Sequence, residues 1–205
     1  DAMPAFKGYQ PPGMRVPFNS TFCACINDEV VHAPAHPGRV LKDGDIFSID
    51  IGMVYKGRFT DMAITIPVGT ISSSTKRLLE VTRQSLYDGL AQIKPGNSVR
   101  DIGRAVSKTV EKAGYSVVRA LVGHGVGYAV HEAPPVPNYD DPKSGRITLE
   151  EGMVLAIEPM VCEGNYAVNQ KSDGWTIVSA DHSLSAHFEH TIVVTKKGYE
   201  ILTTL

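Results

Sequence analysis

The stretch that decides the fold runs from residue 46 to 66: Ile46-Phe47-Ser48-Ile49-Asp50-Ile51-Gly52-Met53-Val54-Tyr55-Lys56-Gly57-Arg58-Phe59-Thr60-Asp61-Met62-Ala63-Ile64-Thr65-Ile66. It is rich in β-branched and aromatic residues on both sides of Tyr55-Lys56-Gly57. It therefore reads as a β-hairpin with arms 45–54 and 58–67. Each arm carries one aspartate among isoleucines and phenylalanines, where a carboxylate is costly unless a partner or a cation compensates it. Asp50 and Asp61 are expected on paired strands. The turn register, which the sequence leaves open, decides whether they face the same side.

Three further segments set a titratable group in an apolar or glycine-rich frame. His124 lies in Gly123-His124-Gly125-Val126-Gly127, Glu158 in Leu155-Ala156-Ile157-Glu158-Pro159-Met160-Val161, and Glu189 in His187-Phe188-Glu189-His190-Thr191-Ile192-Val193. Glycine lets backbone approach a ligand closely, and a second histidine, His131, follows in His131-Glu132-Ala133-Pro134. Four carboxylates with one imidazole suit two divalent cations. The oxygen-rich donor set favours Mn, Fe, Co or Zn in an open, water-bearing site over a structural thiolate zinc. Two such ions about 3.5 to 4 Å apart can share one hydroxide and polarise a carbonyl, so hydrolysis needs no side-chain nucleophile. Asp61 and Glu189 are the candidates to bridge both ions. Each residue also has an ordinary reading: solvated aspartates beside a turn, a strand-edge glutamate before a proline, a surface Glu189–His190 pair. Together those readings need five coincidences. Covalent catalysis is the weaker alternative, because no Gly-x-Ser-x-Gly elbow appears and Cys23 and Cys25 lack a base.

The chain has 205 residues, 42% apolar and 20% charged, which suits one globular domain spanning 1–205. A net charge of -2 gives no electrostatic footprint for nucleic acid or an anionic membrane. No apolar run approaches the roughly 18 residues that span a bilayer. The N-terminus, Asp1-Ala2-Met3-Pro4, lacks a secretory pattern and an initiator Met, so the chain is expected to begin inside a longer one. Three cysteines, Cys23, Cys25 and Cys162, are too few for a disulfide framework; they read as small core residues in a reducing compartment.

Residues 1–20 read as irregular and 21–31 as a strand entering a turn. A helix is expected over 73–93, with Leu79, Leu86, Leu90 and Ile93 on one face and Pro95-Gly96 as its stop. A second is expected over 99–113, with Ser98 as N-cap, Asp101 completing a capping box and Gly114 at the C-terminal end. Segments 117–122, 153–162, 175–180 and 187–195 read as strands. Strands, two helices and more strands give an α+β fold, with helices on one face of a mostly antiparallel sheet.

In this order the motifs resemble the pita-bread metallopeptidases, most closely the type I methionine aminopeptidases. The similarity covers nearly the whole chain and includes Asn27-Asp28-Glu29-Val30-Val31-His32, Leu41-Lys42-Asp43-Gly44-Asp45, Thr60-Asp61, Ile157-Glu158-Pro159-Met160 and Phe188-Glu189-His190-Thr191. The resemblance implies a curved sheet with helices outside and a dinuclear metal site in the concave centre. It implies that Asp50 chelates one ion, that Asp61 and Glu189 bridge both, and that His124 and Glu158 complete the other. Glu158 would also serve as general base and then acid. His131 would hold the substrate's peptide group, and His32 would bind near it and stabilise the tetrahedral intermediate. A hydroxide between the metals would remove the N-terminal methionine of peptides and nascent proteins. Tyr9, Cys23, Trp175, Phe6 and Phe18 would line the methionine pocket. In some members the positions of Asn27 and Ser185 bind a monovalent cation. The implied setting is cytoplasmic, with the ribosome as a further partner and no membrane.

Three departures from the family pattern stand out. Bacterial members carry some tens of residues before the point where this chain starts. The loop Pro11–Phe18 looks longer than usual and would border the substrate pocket. Val130 stands where many members have an aromatic, which would open that wall. Two competitors remain: a proline-directed aminopeptidase or dipeptidase of the same fold, and a non-catalytic pita-bread binding module. The first usually carries an Arg-x-Glu-Asp-like ending where this chain has Phe188-Glu189-His190-Thr191; the second typically loses metal ligands.

Overall fold

The hairpin turn forms at the expected place. In the computed structural model, which describes residues 1–204, Met53–Tyr55 pairs antiparallel with Arg58–Thr60. The turn residues Lys56 and Gly57 have φ of 49° and 72°, the double positive φ of the two-residue turn whose twist matches that of the strands.

Eight strands build the main sheet: β1 (Cys23–Ile26), β2 (Ile46–Asp50), β3 (Met62–Pro67), β4 (Gly123–Gly125), β5 (Glu132–Val136), β6 (Val154–Ile157), β7 (Glu189–Thr195) and β8 (Gly198–Ile201). The order across it is β5-β4-β6-β7-β3-β2-β1, with β8 also paired to β7. Every pairing described is antiparallel. Small three-stranded sheets flank it, among them the set joining Ser116–Val117, Met160–Cys162 and Ser185–His187.

Two α-helices cover one side. α1 (Ser73–Leu90) begins at Ser72, whose side chain accepts the Thr75 N–H. α2 (Val99–Lys112) begins with the capping box of Ser98 and Asp101. The periodic leucines and valines explain their seating. Leu78, Leu86 and Leu90 of α1 join Ile102, Val106 and Val110 of α2 in one buried cluster with Leu155, Ile157, Ile192 and Val194 of the sheet. Gly89 permits the close approach, since a Cβ there would lie 2.8 Å from Val106 Cγ2. Among the described residues no helix is long and apolar enough to cross a membrane.

Several expected boundaries move. α1 ends at Leu90 rather than 93. The expected strand 117–122 shrinks to Ser116–Val117, and 175–180 to Ile177–Ser179. The larger difference is that four long strands break. The 45–54 arm splits after Asp50, the 58–67 arm splits at Asp61, 153–162 splits at Glu158-Pro159, and 187–195 splits at Phe188, immediately before Glu189. At each break the chain passes from one sheet to another. Proline explains one of them, because Pro159 has no N–H for a ladder.

Candidate metal centre

Register brings the five residues to one face. Asp50 lies opposite both Cys23 and Ala63, and Ala63 lies opposite Glu189, so one row crosses four strands. His124 lies opposite Ala156, and Ala156 opposite Thr191, giving a second row two residues along β7. Residues two apart on a strand share a face. Asp61 and Glu158, each two residues from the alanine of its row, fall on that same face. Ala63 and Ala156 are small and leave space between the acidic groups.

The side chains converge. One ligand atom each from Asp61, His124 and Glu189 lies within 4.8 Å of the others. His124 Nε2 is 3.4 Å from Glu158 Oε1 and 4.0 Å from Asp61 Oδ2. All five residues are buried. The Asp61 backbone is clamped by Thr191, whose Oγ1 accepts its N–H at 2.8 Å and donates to its carbonyl at 2.7 Å.

Three observations fit divalent cations. Asp50 Oδ1 and Glu189 Oε1 are buried with no hydrogen-bond partner among the described residues, which is rare for buried polar atoms. His124 donates Nδ1–H to the Gly125 carbonyl at 2.9 Å, which leaves Nε2 to present its lone pair, as a metal-ligating histidine does. Finally, burial raises all four acids and their mutual repulsion adds to it. Asp50 is pushed up to about 7, with Glu158 as the main charge against it. Asp61, Glu158 and Glu189 are raised well above the usual carboxylate range. Two dications would offset four negative charges in one wall.

The wall opens into a cavity of about 620 Å³, whose opposite side is apolar. Phe6, Phe18, Cys23 and Trp175 are buried together there, with Tyr9 and Met14 packed against them. Phe18 meets the Trp175 ring edge-on at 5.1 Å. The long loop does border the cavity, through Pro11, Met14 and Phe18. It is tied to the wall by the Trp175 indole N–H, which donates to the Val16 carbonyl at 3.2 Å. Val130 is buried in this cluster and does not line the cavity. Burial pushes the Cys23 thiol well up and neighbouring Asp50 adds to that, so it stays a protonated thiol. All three cysteines are free and buried.

His32 and His131 stand between the two sides. His131 Nδ1 lies 2.7 Å from Tyr9 Oη, and its ring centroid is 4.3 Å from that of His124. His32 sits at φ 60°, beside Trp175 at 6.4 Å; left-handed backbone at a cavity-lining residue is the kind of outlier that collects at functional sites. Burial, then the charge of His124, brings His32 down to about 4 and His131 to about 3. Both are neutral at neutral pH. Asn27 and Ser185 meet through backbone, Ser185 N–H donating to the Asn27 carbonyl, while the Asn27 amide bonds Asp45 and Ile46. The sequence reading missed His187, which is 2% exposed and lines the cavity next to Glu158 and Glu189. Its place just before Glu189, in a strand that changes sheets, was the available signal.

Residues 3–196 match metallopeptidase family M24. The chain belongs to this family. An M24 relative, methionine aminopeptidase 1 of Bacillus subtilis, is 50% identical over 203 residues, 98% of this chain and 78% of the relative. The crystal structure of a methionine aminopeptidase from Thermotoga maritima superposes with a TM-score of 0.93 at 46% identity, covering 100% of this chain and 79% of that one. The prolidase of Pyrococcus furiosus shares the fold with a TM-score of 0.72 at 23% identity, covering 94% of this chain and 51% of that one. The M24 fold is the pita-bread fold, with the acidic cluster on the inner face of its curled sheet. Membership and donor set together make divalent metal ions the cofactor class.

Proposed function

We propose that this M24 peptidase removes the N-terminal methionine from peptides and nascent proteins in the cytoplasm. One observation carries the reading: a single cavity joins a four-carboxylate, one-imidazole wall to an apolar wall of Phe6, Phe18, Cys23 and Trp175. An unbranched thioether suits such a wall, because sulfur packs favourably on aromatic rings. Relatives at about half identity carry the same activity in their names.

Asp50 would hold one cation, Asp61 and Glu189 both, and His124 and Glu158 the second; a monovalent ion near Asn27 and Ser185 belongs to the same proposal. When bound, the two ions would activate water and polarise the scissile carbonyl. Glu158 would take the proton from that water on its carboxylate and return it to the leaving amine. With Tyr9 O–H donating to Nδ1 of neutral His131, the ring keeps its own proton on Nε2, where it can donate to the substrate's peptide group. His32, close to Trp175 and also neutral, would donate to the developing oxyanion. The apolar wall would exclude water from the first side chain and fix the peptide in register with the acidic wall.

The test is cleavage of Met-Ala-Ser, Leu-Ala-Ser and Ala-Pro-Ser by chelator-stripped protein with Mn, Co or Fe added back. Release of methionine only with metal is the expected result. Release of alanine from the proline peptide would assign the chain to the prolidase side of the fold, and no release with two equivalents of bound metal would make it a binding protein.

A further inference from the structure

His187 has a feature that none of these roles uses. Its Nε2 is buried with no hydrogen-bond partner among the described residues. That nitrogen faces two of the four carboxylates, 3.6 Å from Glu158 Oε2 and 4.0 Å from Glu189 Oε2. The backbone of His187 is clamped as the backbone of Asp61 is. Thr65 Oγ1 accepts the His187 N–H and donates to the His187 carbonyl, both at 2.8 Å. The Ser48 hydroxyl, 2.7 Å away, then donates to Thr65 Oγ1. Ser48, Thr65 and His187 are all buried, so a satisfied polar network fixes where the imidazole starts.

His187 differs from His124 in its proton. His124 spends Nδ1–H on the Gly125 carbonyl, whereas no acceptor among the described residues holds a proton on Nδ1 of His187. A bare Nε2 at this place would set a lone pair against two carboxylates; an Nε2–H is attracted to both.

From this geometry we infer that His187 is a positioning residue. Its Nε2–H faces Glu158 Oε2 across 3.6 Å and attracts it, so that Oε1 stays directed at His124 and the cavity. The inference rests on the metal reading above. Outer partners of this kind change metal affinity by about 10- to 100-fold. Because the contact is an N–H presented to a carboxylate and not ligation, a side-chain amide of equal reach replaces it.

The experiment is calorimetric titration of stripped protein with Mn(II), comparing wild type with His187→Leu and His187→Gln, each checked by thermal melt. His187→Leu is expected to lose about 10- to 100-fold in affinity with stoichiometry kept, and His187→Gln to stay within about threefold of wild type. If His187→Leu does not fold, His187→Asn replaces it, its amide being too short to reach. Thr65→Val, which releases the clamp, is expected to lose affinity in the same direction by less. A Gln variant as weak as Leu would make His187 a ligand and overturn the donor role. Unchanged affinity in His187→Leu or His187→Asn would make it a packing residue and overturn the inference as well. Wild-type protein that binds no Mn(II) would bring down the metal reading itself, a result the variants cannot mimic.

Discussion

The two walls of the cavity are held by different physics. The acidic wall is backbone-placed: strand register sets the direction of each side chain, threonine clamps pin the chain, and the carboxylates then oppose one another. The apolar wall is mainly side-chain-placed: Phe6 and Phe18 come from irregular segments, Cys23 from a strand and Trp175 from a bend, and they meet by burial, with the Trp175 indole bond to the Val16 carbonyl as a polar tie. The first arrangement depends on the position and charge of each group, so losing one group is expected to cost metal affinity. The second demands volume and tolerates graded change. A metal site and a side-chain pocket need those two properties respectively.

The sharpest way to break this comparison is Asp61→Asn. It is expected to lower kcat/KM by more than about a hundredfold and to reduce bound metal, with thermal stability kept or raised, because a buried repulsive charge is removed. Full activity would sink the bridging assignment. Leu86→Ala, in the helix layer behind the sheet, serves as the control. It is expected to cost about 2 to 5 kcal/mol of stability by denaturant titration while leaving kcat/KM of the folded protein unchanged.

Glu29, whose partner Lys171 follows the first strand of the hairpin that carries Trp175, tests the support of that hairpin. Burial pushes its carboxyl up, but hydrogen bonds from Lys171, Arg39 and the Ile26 N–H more than offset this, so the net shift is downward. A carboxylate with a lowered folded pKa stabilises fully above its unfolded value, and that stabilisation fades as pH falls through the folded value. Glu29→Gln is therefore expected to lower stability by about 2 kcal/mol at pH 7 and to converge with wild type in acid below both values. A gap that persists there would mean packing, not charge. The smallest effect belongs to Trp175→Ala: preference for Met over Leu at the first position falls by about tenfold with metal affinity unchanged. An unchanged preference would move the pocket elsewhere.

Much of this was legible in the chain. The burial and convergence of Asp50, Asp61, His124, Glu158 and Glu189 could be anticipated from charge in apolar frames, and the start of the second helix from Ser98 and Asp101. The strand breaks could not. A segment that leaves one sheet and enters another stays apolar throughout, so 153–162 and 187–195 look continuous although Glu158 sits at one corner and Glu189 starts afresh after another. His187 escaped for the same reason: beside a corner, pattern does not tell which way a side chain points.

The sequence by itself determined the inventory, four acids and an imidazole with an aromatic set, because local composition sets whether a charge is affordable where it stands. Only the tertiary structure decided that Asp50, Ala63 and Glu189 align in one row, and that Thr65 and Thr191 clamp His187 and Asp61. Register and long-range hydrogen bonds join residues up to 159 positions apart, and nothing local encodes them.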